Sequence, residues 1–393
     1  MYNLLLIFLL ICLSVTALMT LYLLVFALAG YFYHSVSYQF IIPSKLRKIA
    51  VFIPAYKEDF VIVDSAKRAL EQDYPPGNYD VIVIADSLKE NTIRQLGQLP
   101  IKTVEVKFEV STKAKALNTT MSVLPTDYDI AVILDADNVM SPDFLTLMNA
   151  AFDKGWKAVQ GHRLAKNTNN SVAVLDAVSE ELNNHILRKG HRALGFSSSI
   201  IGSGMAFDYS LFKQTMSNIN AISGFDKYLQ MSVIKAGHKI EYLEEALCYD
   251  EKVQDPQVFE NQRTRWIASQ FKNIRQDFLS GMQALFKGNI DYFEKAMQTF
   301  LLPKVMLLGV EGLWVAVSLL LQSPMLLLLS GIQLVVLGFV FYISTPDYLK
   351  SRLTFSEIKQ VPNLLLRFVR AMFNRKKAAK RFINTPHTVV VED

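Results

Sequence analysis

From Met1 to Tyr33 the chain carries no charged side chain. A run of that length does not fit a solvated surface helix or strand. About 20 apolar residues are enough to cross the hydrocarbon core of a bilayer as a helix. The run is too long for a signal-peptide core, has no basic leader and shows no small-residue cleavage site. Residues 3–32 are therefore expected to form an uncleaved, tilted transmembrane helix. Two more candidates come late in the chain. Residues 300–322 are apolar but for Lys304, Glu311 and Gln322, and residues 325–344 carry no formal charge. Ser323-Pro324 reads as the turn between them. The alternative for either is a buried core helix. Hydrophobic residues make up 51% of the sequence, and the excess sits at these two ends.

The positive-inside rule sets the expected orientation. Lys45, Arg47 and Lys48 follow the first apolar run. Lys350, Arg352, Lys359, Arg367, Arg370, Arg375, Lys376, Lys377, Lys380 and Arg381 follow the last. Three spans then place the N-terminus outside and both the middle of the chain and the C-terminus in the cytosol of an inner (plasma) membrane protein. The net charge of +5 reads as lipid-bilayer-facing basic residues, not as a nucleic-acid footprint. Cys12 lies in the first expected span and Cys248 in the middle region, so no disulfide is expected, in keeping with a reducing compartment.

Between these ends, strand-like and helix-like stretches alternate. Ile49–Tyr56, Tyr79–Asp86, Thr103–Phe108 and Asp129–Asp137 are short Val- and Ile-rich runs. Asp59–Gln72, Thr112–Met121 and Pro142–Ala151 have helical spacing, the last with Ser141 as cap. The pattern predicts an α/β fold with a parallel, helix-covered sheet. Ligands bind such sheets beyond the carboxyl ends of the strands, so Tyr56, Glu58, Asp86, Asp135 and Asp137 become site candidates. No GxGxxG follows the first strand and no GxxxxGK[ST] occurs, which argues against a nicotinamide dehydrogenase and a P-loop ATPase.

Asp135-Ala136-Asp137 closes the apolar run Ile130–Leu134. Side chains at i and i+2 of an extended chain share a face, so the two carboxylates can converge on one cation. Mg²⁺ or Mn²⁺ suits such oxygen ligands and also binds substrate phosphates. The bland alternative is an acid that caps the next helix. Gln262-Arg263-Thr264-Arg265-Trp266 adds two guanidinium groups able to grip phosphate and an indole able to stack on a sugar. Its alternative is an amphipathic helix with a core Trp and solvated Arg residues. Residues 257–278 and 355–381 both have the mixed apolar and basic character of amphipathic helices, the first lying at a membrane face or on the sheet domain and the second at a membrane face, with ordinary helix packing as the alternative for both. Asp226, in Gly224-Phe225-Asp226-Lys227 before the helical stretch Tyr228–Lys235, is either a general base or a helix cap.

In this order the motifs resemble the family-2 glycosyltransferases, most of all the membrane-bound branch that includes cellulose, chitin, hyaluronan and poly-N-acetylglucosamine synthases. The likeness covers residues 48–270. It implies a GT-A-type, Rossmann-like catalytic domain with transmembrane helices on both sides. Ile53-Pro54-Ala55-Tyr56-Lys57-Glu58 looks like the opening nucleotide-binding strand, with Lys57 where the family usually has Asn. By the same resemblance Pro54, Tyr56, Glu58, Asp86 and Lys113 contact the nucleotide sugar, Asp86 at the uracil and Lys113 near the diphosphate. Asp135 and Asp137 match the metal-binding pair. Gly202, Ser203 and Gly204 resemble the acceptor-lining turn. Asp226 aligns with the catalytic base, and Gln262, Arg263, Arg265 and Trp266 match the QxxRW element that meets diphosphate and acceptor. Phe225 and Ala85 replace acids of the family pattern. Phe382-Ile383-Asn384-Thr385-Pro386-His387 resembles a loosened gating-loop motif.

The resemblance implies inverting, metal-dependent transfer from a nucleotide sugar, UDP-linked, to a growing polysaccharide. The alternative is a single transfer to a lipid-linked or glycolipid acceptor. A homo-oligomer or partner subunit would complete a polymer channel. A non-catalytic scaffold is the third reading, against which the intact acids and Arg265 stand. The expected organisation is a span at 1–34, a catalytic domain at 45–256, a QxxRW and interface region at 257–299, two spans at 300–344 and a basic tail at 345–393.

Overall fold

The computed structural model describes residues 2–125, 127–219, 221 and 224–378. Helix Tyr2–Phe32 takes up the uncharged run. Two helices among the described residues are long and apolar enough to cross a membrane, Leu6–Phe32 and Pro324–Ser344. The remaining expected span is shorter than the sequence suggested. Pro303 starts helix Lys304–Leu320, which has only 17 residues. At 1.5 Å per residue it extends about 26 Å, less than a bilayer core of about 30 Å.

Polar groups tie the three helices together. The Thr16 hydroxyl donates to Gln333 Oε1 at 3.0 Å, and Gln333 Nε2 donates to the Leu13 carbonyl at 3.2 Å. The Thr20 hydroxyl donates to Glu311. The Lys304 ammonium donates to Asn183.

The sheet has eight strands: β1 Ile49–Tyr56, β2 Tyr79–Asp86, β3 Lys102–Val106, β4 Ile130–Ile133, β5 Val139–Met140, β6 Ala158–Ala165, β7 Met205–Asp208 and β8 Glu241–Asp250. Their order is β3-β2-β1-β4-β7-β6-β8-β5. Of the expected all-parallel sheet, β3, β2, β1 and β4 form a parallel run and β6 and β8 a parallel pair. Strand β7 runs antiparallel to both β4 and β6, and β5 runs antiparallel to β8. The sheet is therefore mixed. Between β6 and β7 the chain runs through helix Ser171–Asn183 and the π-helical turn Asn184–Gly190, then enters β7 by the turn at Gly202 and Gly204.

The central strands are apolar on both faces because helices cover both. Ile49, Val51, Ile53, Val81, Val83, Ile130 and Val132 pack on one side with Phe144, Leu147 and Met148 of helix Phe144–Asp153. Ala50, Phe52, Ile82, Ile84, Ala131 and Ile133 pack on the other with Leu117, Phe212 and Leu229. The alternation follows the two-residue period of a strand.

Three local boundaries differ from expectation. Strand β4 ends at Ile133, so Asp135 and Asp137 lie in the turn beyond it. Helix Phe144–Asp153 begins after Pro142, and the Ser141 hydroxyl donates to the Asp143 carboxylate at 2.7 Å instead of capping the helix. Helix Phe225–Lys235 takes in Asp226 within its first turn.

After β8, Asp255 caps helix Pro256–Phe286, accepting from the amides of Gln257 and Val258. Its Phe259 and Ile267 pack with Val172, Met306, Leu364 and Phe368, which joins it to helix Phe355–Ala378. The first helix is fastened to the sheet domain at a π-helical turn, Asn184–Gly190. A Cβ on Gly190 would run into the Phe26 carbonyl oxygen, so this crossing needs glycine. Phe26 stacks on the His191 ring with centroids 3.8 Å apart. The Phe382–His387 segment lies outside the described residues.

Candidate functional site

One cavity of about 600 Å³ runs from the strand ends toward the apolar helices. It is lined by Pro54, Tyr56, Glu58, Asp86, Lys113, Asp135, Asp137, Gly202, Asp226, Gln262, Arg263, Arg265 and Trp266. Residues as far apart in sequence as Pro54 and Trp266 thus meet at one site.

At the β1 end, the chain turns sharply at Lys57, whose φ is +58°. The Lys57 amide donates to the Asp86 carbonyl at 3.1 Å, which locks the ends of β1 and β2 together. Few side chains adopt that left-handed region readily, and Asn does so more easily than Lys. Asp86 itself is 2% exposed, and its carboxylate accepts from the Ser87 hydroxyl at 3.0 Å.

The acidic pair is positioned by a turn, not by a pleat. The Asp135 amide donates to Asn138 Oδ1 at 3.0 Å, and the Asn138 amide donates to the Asp135 carbonyl at 3.1 Å. Lys113 opens helix Lys113–Val123, which Thr112 caps through the Lys115 amide. Its ammonium donates to Asp135 Oδ1 at 2.6 Å, to the Gly202 carbonyl at 2.8 Å and to the Leu134 carbonyl at 3.1 Å. Burial pushes the Asp135 carboxyl up, but Lys113 and then Arg163 outweigh it and hold the group below the usual carboxylate range. Asp137 is 2% exposed; its Oδ2 accepts from the Glu251 amide at 2.8 Å and its carbonyl from Lys166 Nζ at 3.0 Å.

Among the described residues no group of three or more His, Cys, Asp or Glu could hold a metal ion. The protein thus offers a divalent cation the two carboxylates of Asp135 and Asp137, oxygen donors on the cavity wall. That donor set suits Mg²⁺ or Mn²⁺, which commonly take one or two carboxylates and fill the remaining positions with water and substrate phosphate oxygens.

Asp226 faces the same cavity from the first turn of helix Phe225–Lys235. Gly224, at φ +69°, turns the chain into that helix. Gly202, at φ +86°, passes beside it: a Cβ there would lie 3.7 Å from Asp226 Cβ. Burial raises the Asp226 carboxyl above its ordinary value, and the neighbouring Lys227 charge only partly offsets this. Burial also lowers the Lys227 ammonium to about 8.

The Gln262–Trp266 element divides. Arg265 faces the cavity; burial lowers its basicity and the Asp135 charge works against that shift. Arg263 is 3% exposed and ion-paired with Asp176. Its guanidinium lies 3.9 Å from the Trp266 ring centroid and 4.5 Å from that of Phe259. Arg263 also lines the cavity, but its charge is met by Asp176. Trp266 keeps 47% of its surface exposed, leaving indole surface for a ligand. Ser203 and Gly204 do not line the cavity. Ser203 Oγ accepts from Arg163 at 3.2 Å, and both carbonyls accept from Gln160 Nε2. They support the turn, and only Gly202 reaches the site.

Sequence reasoning missed the group beneath the acids. Arg163 on β6 donates to Glu180 at 2.9 Å, approaches Asp250 at 3.4 Å and lies 3.9 Å from Asp135 Oδ2. Lys252 pairs with Asp250 at 2.6 Å, and Arg188 with Glu180 at 3.1 Å. Arg163 and Asp250 leave a faint trace in the sequence, a charge near the end of an apolar strand. Asn138 carried no trace beyond its nearness to the acids.

The Glycosyltransferase like family 2 model matches residues 47–269, more than half of the chain. The probable glycosyltransferase YdaM of Bacillus subtilis (strain 168) is 25% identical over 258 residues, covering 61% of each chain; the chain thus matches about three-fifths of that relative's length. The mannosyltransferase PcManGT from Pyrobaculum calidifontis, solved with GDP-Man and Mn²⁺, shares the fold with a TM-score of 0.57 at 15% identity, over 93% of this chain and 97% of that one.

Proposed function

The chain belongs to the glycosyltransferase-like family 2, and we propose that it transfers a sugar from a nucleotide sugar to an acceptor held at the membrane face. One observation carries the reading: a single cavity brings Asp135, Asp137, Lys113, Asp226 and Arg265 together. Its relatives support it, one named a probable glycosyltransferase and one solved with GDP-Man and Mn²⁺.

The chemistry follows from the residues. Pro54, Tyr56, Glu58 and Asp86 at the ends of β1 and β2 seat the nucleotide. Asp135 and Asp137 would hold Mg²⁺ or Mn²⁺, which when bound supplies charge stabilisation to the departing diphosphate. Lys113 and Arg265 add fixed positive charge on the same wall, where preorganised charge acts strongly. Asp226 accepts the proton of the acceptor hydroxyl as that oxygen bonds the anomeric carbon. The bond from that carbon to the diphosphate breaks in the same displacement, which inverts the centre. Burial raises the affinity of Asp226 for that proton, as a general base near neutral pH requires.

Two acceptor classes fit this site. A lipid-linked acceptor is favoured by the aliphatic far end of the cavity, where Leu23, Leu187, Leu301 and Leu302 line the wall. A growing polysaccharide is favoured by the half-exposed indole of Trp266. The basic residues flanking the apolar helices support a multi-pass inner-membrane protein with its catalytic domain in the cytosol and its N-terminus outside.

Binding of UDP- and GDP-sugars to purified protein, with and without Mn²⁺, tests the donor site. Metal-dependent binding that Asp137→Asn abolishes supports the reading. Nucleotide-sugar binding that neither metal nor this substitution alters would remove it.

A further inference from the structure

A buried chain of polar groups runs from the first membrane-length helix to the cavity wall. That helix has 31 residues and extends about 46 Å, more than a bilayer core of about 30 Å. Its excess packs on the sheet domain: Phe26 stacks on His191, and Leu23 lines the cavity. Tyr22 lies one turn before Phe26. Its hydroxyl donates to Glu294 and stands 2.9 Å from His191 Nε2. Gln298 Nε2 meets the same His191 nitrogen at 3.2 Å, and Gln298 Oε1 accepts from the Ser199 hydroxyl at 2.9 Å. Ser199 and Gln298 both line the cavity. Ser199 leads into the turn at Gly202, which passes beside Asp226. The Ile200 amide ties that segment to the helix of Asp226 by donating to Gln230 Oε1 at 3.0 Å.

The direction of each hydrogen bond is set from the two ends. The Ile186 carbonyl, 2.8 Å from His191 Nδ1, can only accept, so Nδ1 carries a proton. The Lys295 ammonium, 3.4 Å from Ser199 Oγ, can only donate, so the Ser199 proton goes to Gln298 Oε1. Gln298 then turns an N–H to His191, whose Nε2 must offer a lone pair. That lone pair lies 2.9 Å from Glu294 Oε1, one acceptor against another. The Tyr22 proton, given to Glu294, relieves the opposition. Among the described residues, the ionisable groups that face His191 are Tyr22 from the first helix and Glu294 and Lys295 from helix Ile290–Gln298. Burial and then the Lys295 charge hold His191 below its ordinary value, against the pull of Glu294. Gln298 Oε1 takes one proton from Ser199 and keeps a second lone pair.

Resting on the transferase reading above, we propose that Gln298 binds a hydroxyl of the acceptor, and that Tyr22 is the positioning residue that fixes its amide through His191. Without the Tyr22 proton, Glu294 draws one onto His191 Nε2. That nitrogen then donates, the Gln298 N–H loses its partner, and the amide turns over. Oε1 is thereby withdrawn from the acceptor. The first helix thus acts on acceptor binding and leaves the nucleotide end alone.

The test uses the full chain purified in detergent, with UDP- and GDP-sugars as donors, Mn²⁺, and membrane lipid extract as acceptor source. The wild-type half-saturating amount of extract should be level between about pH 6 and 8, the range over which histidines titrate. Tyr22→Phe keeps the ring and removes the hydroxyl. At the acid end of that range it should raise the half-saturating amount about fivefold, the worth of one hydrogen bond, with transfer at saturation little changed. Toward the alkaline end His191 loses its proton, and the amount should return toward the wild-type one. Gln298→Met removes the amide and should raise the amount about equally across the range. In histidine nitrogen NMR spectra, the signals lost in His191→Gln should report a neutral imidazole in the wild type. In Tyr22→Phe at the acid end they should report an imidazolium. Metal-dependent nucleotide binding should be the same in wild type, Tyr22→Phe and Gln298→Met, which also reports that the variants are folded. An unchanged half-saturating amount in either variant overturns the inference. So does a Tyr22→Phe loss of equal size across the range, a fall in its nucleotide binding, or a His191 that stays neutral in it. Each of these leaves the transferase reading standing. Absence of transfer by the wild-type protein from every donor would instead defeat the underlying reading.

Discussion

At one end of the cavity Pro54, Tyr56, Asp86, Asp135 and Asp137 stand on strand ends and the turns just beyond them. At the other end Leu23, Asn183, Leu302 and Lys304 come from segments far apart in the chain, most of them helical. The first end is built by local rules: a buried strand stops, the backbone turns, and a polar residue faces the ligand. The second exists only because the first helix packs on the π-helical turn and helix Lys304–Leu320 starts where that packing leaves room. Chemistry common to a family can sit on the first kind of wall, while acceptor choice can be rewritten on the second.

The strongest way to break this contrast is to remove the group beneath the strand-end acids. Arg163→Met leaves Glu180 and Asp250 with buried charge less compensated and withdraws a cation from Asp135. A loss of about 3–5 kcal/mol of stability is expected, read as a lowered midpoint in thermal or denaturant unfolding. A midpoint near that of the wild type would show the cluster to be dispensable.

Asp226→Asn isolates the reacting group. It should fold and bind nucleotide, yet lose transfer by about 10²-fold or more. The pH profile sharpens the point. Because burial raises the Asp226 carboxyl, its basic form is present only above that raised value. The acidic limb of kcat/KM should therefore rise with pH through a midpoint above the ordinary aspartate value of about 3.9. An acidic limb at the ordinary value would point to an exposed base elsewhere.

Gly190→Ala strikes the helical end. The added methyl meets the Phe26 carbonyl, and such overpacking costs about 1–3 kcal/mol. The unfolding midpoint should fall while metal-dependent nucleotide binding of the folded protein stays. Loss of that binding as well would show that the two ends move as one. Lys57→Asn is the mildest change. It places a residue that tolerates φ +58° at the β1 turn and should raise stability by about 0.5 kcal/mol.

Strands β1 and β2 were legible to the residue, because long Val- and Ile-rich runs end at clear polar stops. The parallel half of the sheet followed from the alternation with helices. The antiparallel return of β7 did not, since nothing in Met205–Asp208 states its direction. The acidic pair was placed by a reason that differs from the structure's: Asp135 and Asp137 line the cavity from a turn that Asn138 closes, not from an extended strand. The Asp176 partner of Arg263 was not legible, because an arginine in a motif looks the same whatever carboxylate it meets. Arg163, Glu180 and Asp250 are brought together by the sheet and helix Ser171–Asn183, and their spacing in sequence gives no hint of it. The span at 300–322 read as long enough because hydropathy does not see Pro303, which sets where the helix can begin.

The central claim is that the cavity transfers a sugar from a nucleotide sugar with Asp226 as base. The direct measurement is product formation from a panel of UDP- and GDP-sugars, with Mn²⁺ and a membrane lipid extract as acceptor source, read by mass spectrometry for wild type and Asp226→Asn. The account predicts one hexose-sized mass increment, or a ladder of them, on an acceptor in the wild-type reaction, and its near-absence in the variant despite equal nucleotide binding. Equal product from both proteins would contradict it.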